Sequence, residues 1–380
     1  MGRTNRKKLL GDVRRLVVKV GSALLTREVE GEGRFLDSIV FELLARQVDS
    51  LIRDGRQVVI VSSGAMAAGA MRLGESALPN RITEKQAWAA LGQPHLMQHY
   101  ENVFRSKGRE VAQVLLTHDD LEDRKRYLNA RRTLNLLLEL GAVPIVNEND
   151  TIAVDEIKVG DNDSLSAQVA ALVDADLLVI LTVVEGLMEG GELISTVDKI
   201  DKRLLDIAGG PGSELGVGGM ITKVEAARTA GMMGVPTIIA SGREPGVIGN
   251  ILEGESIGTL FPPTGEKLSK RKHWIACAHK PRGTLVIDEG ARTAVLERGR
   301  SLLPKGIVKV KGKFQRGEAV AIEGPDGVEF ARGLAAYSSE ELEKIKGLHS
   351  RKIEKSLGYR LDDEAIHRDD LTLVDLICDD

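Results

Sequence analysis

At 380 residues the chain exceeds the ~250–300 at which one hydrophobic core stops growing, so two domains are expected. A net charge of −4, with 28% charged and only 3% aromatic residues, excludes a protein that coats nucleic acid or a membrane surface by general charge. Cys277 and Cys378, the only cysteines, stand far apart and outside any C-x-x-C; this excludes a disulfide framework or a cysteine-rich zinc site and suits a reducing cytoplasm.

The basic start, Met1 to Lys8, is followed by no long apolar stretch, and is expected to be neither signal peptide nor anchor. Nowhere do ~18 apolar residues run together, so no membrane contact is expected. Leu16–Val20 reads as a strand by its β-branched content, broken by Gly21-Ser22. Lys19 at its end, beside exposed backbone N–H groups, suits a phosphate, although a strand-end lysine also snorkels. No G-x-x-x-x-G-K-[ST] occurs.

Asp37 can cap a helix whose apolar positions run from Val40 to Ile52 at helical spacing, with Gly55 ending it. Strand Val58–Val61 leads through Ser62-Ser63-Gly64 to a small-residue helix start, which fits an anion site or close helix–sheet packing equally well. A helix follows from Thr83 to Phe104. His95 and His99 share a face of it, without a third ligand to make a metal site. Strand Val111–Leu116 and a helix opening at Arg124 come next.

The most informative stretch follows strand Ala142–Val146. Asp150, Asp161 and Asp163 lie within fourteen positions, beside Asn147, Asn149 and Asn162, and Lys158 is the one basic residue near them. Such turns are rich in Asn and Asp anyway, but like charges this close call for a cation or a charged ligand. A helix Ser164–Val173, with Asp163 or Ser164 as cap, is expected after them. These loops lie where open α/β sheets bind ligands.

Strand Ala175–Leu181 and the loop from Thr182 follow. A glycine-dense region then leads to a helix with Lys223 in its first turn, which again suits phosphate, with room for a nucleotide. Strand Val235–Ala240 closes this half. The alternation implies a mostly parallel sheet covered on both faces. After Pro262, Pro263 and Gly265 the pattern changes to short strands near 285–287, 307–310, 319–322 and 328–331, with helices near 291–300 and 338–348, a small, mostly β, barrel-like domain. From Lys280 to Arg316 ten Lys or Arg face three Asp or Glu. That local basic face could meet RNA, though few aromatics are available for stacking.

Together, Lys19-Val-Gly-Ser22, Val61-Ser-Ser-Gly-Ala65, Leu121-Glu-Asp-Arg124, Tyr127-Leu-Asn-Ala-Arg131, Asn147-Glu-Asn-Asp150, Lys158-Val-Gly-Asp-Asn-Asp163 and Gly218-Gly-Met-Ile-Thr-Lys223 stand in the order of the bacterial glutamate 5-kinase family. The tail, with Asp288-Glu-Gly-Ala291, Ser301 to Gly306, Arg316-Gly-Glu318 and His367-Arg-Asp-Asp370, resembles that family's PUA domain. The resemblance covers nearly the whole chain. It implies an amino-acid-kinase fold over 1–262 and a PUA-like domain over 276–380, with phosphorylation of the glutamate side-chain carboxylate by Mg-ATP at the opening of proline biosynthesis.

By that resemblance Lys19 and Lys223 flank the transferring phosphoryl group and Asp163 holds them. Ser63, Asp150 and Asn162 bind glutamate, supported by Asp161. Lys19, Gly21, Ser22, Thr182, Val183 and the run Val217, Gly218, Gly219, Met220, Ile221, Thr222, Lys223 line the ATP site. No protein side chain is assigned to the Mg2+. Asp120 and Glu156 match positions linked to inhibition by proline. A homo-oligomer (dimer or tetramer) and glutamate-5-semialdehyde dehydrogenase are the implied partners. Two residues depart from the pattern: Val183 stands where the family usually has Asp, and Val217 where it usually has Thr. Both remove a polar group from the nucleotide side. A kinase of this fold with another acceptor, and an RNA-binding or regulatory protein with a weak kinase half, are the competing readings.

Overall fold

The computed structural model describes residues 6–29, 33–75, 79–153, 161–209, 219–263 and 281–373. It divides into two compact units, Met1–Glu266 and Lys267–Asp380. In the first, α1 (Arg6–Leu10) precedes β1 (Arg15–Val20), α2 (Ser22–Leu25) and a hairpin of β2 (Thr26–Val29) and β3 (Gly33–Leu36). Then come α3 (Ser38–Arg53), β4 (Gln57–Ser62), α4 (Ala65–Leu73), α5 (Ile82–Arg105) and β5 (Val111–Leu116). α6 (His118–Glu122), α7 (Arg124–Glu139), β6 (Val143–Glu148), α8 (Asp161–Leu172) and β7 (Leu177–Thr182) follow. A two-residue-strand hairpin, β8 (Met188–Glu189) and β9 (Glu192–Leu193), leads to α9 (Lys202–Gly209), α10 (Met220–Met232), β10 (Thr237–Ser241), α11 (Val247–Leu252) and β11 (Thr259–Phe261).

The main sheet runs β11-β10-β7-β1-β4-β6-β5. Its ladders are parallel except for β11, which is antiparallel to β10. The central strands are continuous apolar runs because both faces are covered. Side chains alternate between those faces. Leu16, Val18 and Val20 of β1 join the layer with α3, α5 and α11, while Val17 joins the layer with α8 and α10. Lys19, two residues beyond Val17, is thereby aimed at α8 and α10.

The expected helix after Asp37 forms, with the Asp37 carboxylate accepting from the Ile39 N–H and Gly55 in a left-handed conformation just past its end. The helix of the acidic stretch departs from expectation. It begins at Asp161, so Asp163 is its third residue and not its cap. Arg6, from the basic start, is buried, its guanidinium donating to the carbonyls of Glu255, Ile257 and Gly258 at 2.9–3.0 Å.

Helices α4 and α5 cross closely because glycines meet backbone at the crossing. A Cβ on Gly92 would fall 1.8 Å from the Ala65 carbonyl oxygen, and one on Gly69 1.9 Å from that of Trp88. Gly92→Ala is therefore expected to cost at least the ~1–3 kcal/mol of an overpacked core, read as a lower urea midpoint. An unchanged midpoint would mean the helices part freely.

The second unit holds a five-stranded sheet in the order β13-β12-β14-β15-β16, formed by β12 (Gly283–Ile287), β13 (Ile307–Gly312), β14 (Ala319–Glu323), β15 (Glu329–Leu334) and β16 (Leu371–Leu373). Its own core includes Leu285, Ile322, Phe330, Tyr337 and Ile366. Among the described residues no helix is long and apolar enough to cross a membrane.

Candidate functional site

Strands β1, β4, β6, β7 and β10 are parallel, so their carboxyl ends open on one edge of the sheet. From β1 the chain moves outward to β4, then returns to β7 on the other side of β1. The loops after β1 and β7 diverge there, which leaves a crevice of the kind that takes ligands.

Asp163 sits at the centre, fully buried. Lys19 Nζ lies 2.5 Å from its Oδ1 and Lys223 Nζ 3.2 Å from its Oδ2. The Thr222 hydroxyl donates to Oδ2 at 2.7 Å. The Gly219 carbonyl accepts from Lys223 Nζ at 3.3 Å. Three elements thus meet: the end of β1, the first turn of α8 and the first turn of α10. Both lysines are nearly buried, at 3% and 6% exposure, so neither snorkels. Burial pushes the Lys19 pKa down, and Lys223 adds to this, against the opposing pull of Asp163. Burial alone would raise the Asp163 pKa, but Lys19, Lys223 and Thr222 together hold it below the ordinary carboxylate range.

Beside this centre lies a row of amides. Asn162 Nδ2 donates to Asn147 Oδ1 at 2.9 Å and to Ser63 Oγ at 3.1 Å. Asn147, itself 2% exposed, donates from Nδ2 to Gln93 Oε1 on α5 at 2.8 Å and accepts at Oδ1 from the Glu148 N–H. Asn162 Oδ1 is buried without a hydrogen-bond partner. Beneath the row, the Ser62 and Tyr100 hydroxyls pair at 2.8 Å. Burial pushes the Tyr100 phenol well up despite Ser62, so it stays neutral.

The structure therefore brings together Lys19, Asp163, Thr222 and Lys223, and next to them Ser63 and Asn162. Gly21 follows β1, and a Cβ there would stand 3.6 Å from Lys19 Nζ. Ser22 opens α2 and Thr182 ends β7; Gly219 caps α10, which Met220 and Ile221 open. Val183 is 40% exposed beyond β7. Asp150 is half-buried in the turn after β6. Asp161 is the first residue of α8. Val217, Gly218 and Glu156 lie outside the described residues. Asp120 closes a capping box with Thr117 and pairs with Arg126 at 2.9 Å. Burial raises its pKa, but those partners win and hold it low. His99 is tilted against the Phe41 ring. In the second unit, part of the expected basic face is neutralised locally: Lys311 pairs with Glu323 at 2.6 Å and Arg292 with Asp326 at 3.0 Å.

Gln93 and Tyr100 carry no motif in the sequence, and Ser62 shows there only as part of the turn after Val61. One signal was available for Gln93: it shares the stripe of Ala89, Leu96 and Tyr100 on α5, an amide among buried apolar neighbours.

Comparison with known proteins adds independent findings. Residues 14–241 match the amino acid kinase family and residues 283–357 the PUA domain. The chain is 49% identical over 376 residues to a glutamate 5-kinase of Geobacter sulfurreducens, covering 97% of this chain and 100% of that protein. It is 50% identical to glutamate 5-kinases of Geobacter sp. strain M21 and of Trichlorobacter lovleyi, again over 97% of this chain and 100% and 99% of theirs.

Proposed function

We propose how the residues divide the work in a chain that belongs to the amino acid kinase family and, within it, to the glutamate 5-kinases. The protein phosphorylates the side-chain carboxylate of L-glutamate with ATP, giving L-glutamyl 5-phosphate at the first step of proline biosynthesis. The observation that carries the proposal is Asp163, buried between two ammonium groups from separate elements.

The chemistry asks little proton handling. A glutamate side chain, with a pKa of ~4.3, is already ionised near neutrality. Its oxygen bonds to the γ-phosphorus, the bond from that phosphorus to the β–γ bridging oxygen breaks, and ADP leaves with the electron pair. No general base is required. The barrier is the approach of an anion to a polyanion, so in-line positioning and charge stabilisation dominate. Lys19 and Lys223 supply that charge as compact donors, and Asp163 holds them convergent. Ser63, Asn162, Asp150 and Asp161 take glutamate. The Asn162 Oδ1, buried and without a hydrogen-bond partner among the described residues, is an acceptor for its α-ammonium once glutamate enters. Gly21, Ser22, Thr182 and the start of α10 take the nucleotide.

A protein-held Mg2+ does not fit this donor set, because both oxygens of Asp163 are engaged by ammonium and hydroxyl groups. Mg2+ accompanying ATP would neutralise charge on the nucleotide's phosphates, and the charge that this chain itself supplies comes from Lys19 and Lys223. Inhibition by proline near the glutamate site, linked to Asp120 and Glu156, belongs to the same proposal. So does assembly into a dimer or tetramer, for which the exposed apolar pair of Leu136 on α7 and Leu140 at its C-cap offers a surface. The acyl phosphate is labile, which suits direct use by glutamate-5-semialdehyde dehydrogenase.

Lys19 must be charged to act, and burial lowers its pKa. Its charge is full below that pKa and lost above it. The alkaline limb of kcat should therefore fall below the ~10.4 of an ordinary lysine, and Lys19→Arg should move that limb upward even where it lowers the plateau. A limb at the same pH in both would assign the titration elsewhere.

Hydroxylamine traps an acyl phosphate as a coloured hydroxamate. With ATP, product is expected from L-glutamate and not from aspartate or N-acetylglutamate. Product from a different acceptor alone would overturn the reading.

A further inference from the structure

We infer that Gln93 is a positioning residue for the amino-acid substrate, acting through Asn147 on the Asn162–Ser63 pair. The inference rests on the reading that this pair takes glutamate. It adds a residue from α5, a helix that contributes no group to the reacting centre.

The row has a fixed sense. Gln93 Oε1 accepts from Asn147 Nδ2 at 2.8 Å. That leaves Asn147 Oδ1 facing the other way, where it accepts from the Glu148 N–H and from Asn162 Nδ2, both at 2.9 Å. Asn162 Nδ2 also reaches Ser63 Oγ at 3.1 Å and the Ser62 carbonyl at 3.3 Å. Every donor in Asn162 is thereby turned toward the protein, and its Oδ1, buried and unpartnered, is what remains for a ligand. An amide with one end pinned presents a defined atom at the other; one released at its buried end can rotate and offer the wrong atom. Ser62 and Glu148 set the same sense from the backbone. Gln93 closes the row at its far end: Asn147 is 2% exposed, and among the described residues Gln93 is the acceptor its Nδ2 meets.

Helix α5 is fitted for this task. The glycine-mediated crossing with α4 fixes its height over the sheet. One face meets the substrate loops twice, since Gln86, two turns before Gln93, donates from Nε2 to the Ala153 carbonyl at 3.2 Å. Tyr100, two turns after Gln93, reaches Ser62. Three polar side chains at seven-residue spacing thus face the ends of β4 and β6.

Steady-state kinetics of Gln93→Met and Gln93→Glu test the inference. Methionine keeps the length and removes the acceptor. Glutamate keeps an acceptor oxygen whether or not it is protonated. An Asn162 Oδ1 that no longer holds its direction loses one hydrogen bond to a charged group, roughly tenfold in binding. Gln93→Met is therefore expected to raise KM for glutamate about tenfold with KM for ATP little changed, and Gln93→Glu to restore KM to within a few-fold. Three results would overturn it: an unchanged KM for glutamate in Gln93→Met, a parallel rise in both KM values, or equal impairment of Gln93→Glu. If Gln93→Met does not fold, Gln93→Glu decides: a KM for glutamate near the parent's supports the inference and a raised one overturns it. Failure of the parent protein itself to form glutamyl hydroxamate would count against the reading of the site, and is scored separately.

Discussion

Asp163→Ala is expected to damage stability and catalysis together. It removes the one carboxylate between two lysines that are 3% and 6% exposed. Taking away one partner of a buried ionic group costs about 3–5 kcal/mol, because the other charges remain in a poor solvent for them. Here two ammonium groups lose the carboxylate they share, and they repel. Asparagine is no rescue: its Nδ2 would turn a donor toward an ammonium or toward the Thr222 hydroxyl. Both variants should lower the denaturant midpoint, and any folded fraction should turn over at least ~10²-fold more slowly, by analogy with a lost donor to a developing oxyanion. The pH dependence has a defined sign. The Asp163 pKa is held down in the folded state, so its contribution is present above the unfolded value of ~3.9 and is lost as pH falls toward the folded one. The acid limb of stability should therefore be shallower in Asp163→Ala than in the parent. Native stability in that variant would mean the lysines find counter-charges elsewhere.

Lys223→Met is expected to act on rate with little effect on folding. Lys223 stands in the first turn of α10, and its removal leaves Asp163 paired with Lys19 and Thr222. A charge that matters most in the transition state lowers kcat more than it raises KM when removed. We expect kcat to fall at least ~10²-fold, with KM for glutamate within a few-fold of the parent. A large rise in that KM at constant kcat would make Lys223 a ground-state binding residue.

Much of this site is readable from the chain because its chemistry is local. Lys19 ends an apolar strand, Lys223 follows a glycine-rich approach, and the Asn and Asp cluster falls between a strand and a helix. Period-two alternation even carries the direction of Lys19, since Val17 marks the face. The rest depends on contacts that no local pattern encodes. Asp161, Asn162, Asp163 and Ser164 are all good N-caps, so composition alone could not say which of them begins the helix. In the fold Lys19 and Lys223 hold the Asp163 carboxylate, a pairing from distant elements that no local pattern shows. The hydrogen bond from the Thr222 hydroxyl to Asp163 is likewise a contact that no local pattern encodes. Gln93 looks like an ordinary helix residue until the α4–α5 crossing places it under Asn147.

Fold elements divide the same way. The long apolar strands were legible. Strand β11 has only three residues, and β16 pairs with β15 across some forty residues of intervening chain. Such strands are made by their partners more than by their own composition.

The most direct measurement is a double-mutant cycle in kcat on Lys19→Met, Lys223→Met and the pair together, followed by glutamyl hydroxamate formation at saturating ATP and glutamate. Two ammonium groups that serve one phosphoryl group through one carboxylate act as a unit. The double variant should then be scarcely slower than either single one, with the two losses far from additive. Losses that multiply in full, or a single variant that keeps most of the parent's rate, would contradict the convergence of Lys19 and Lys223 on a common reaction centre.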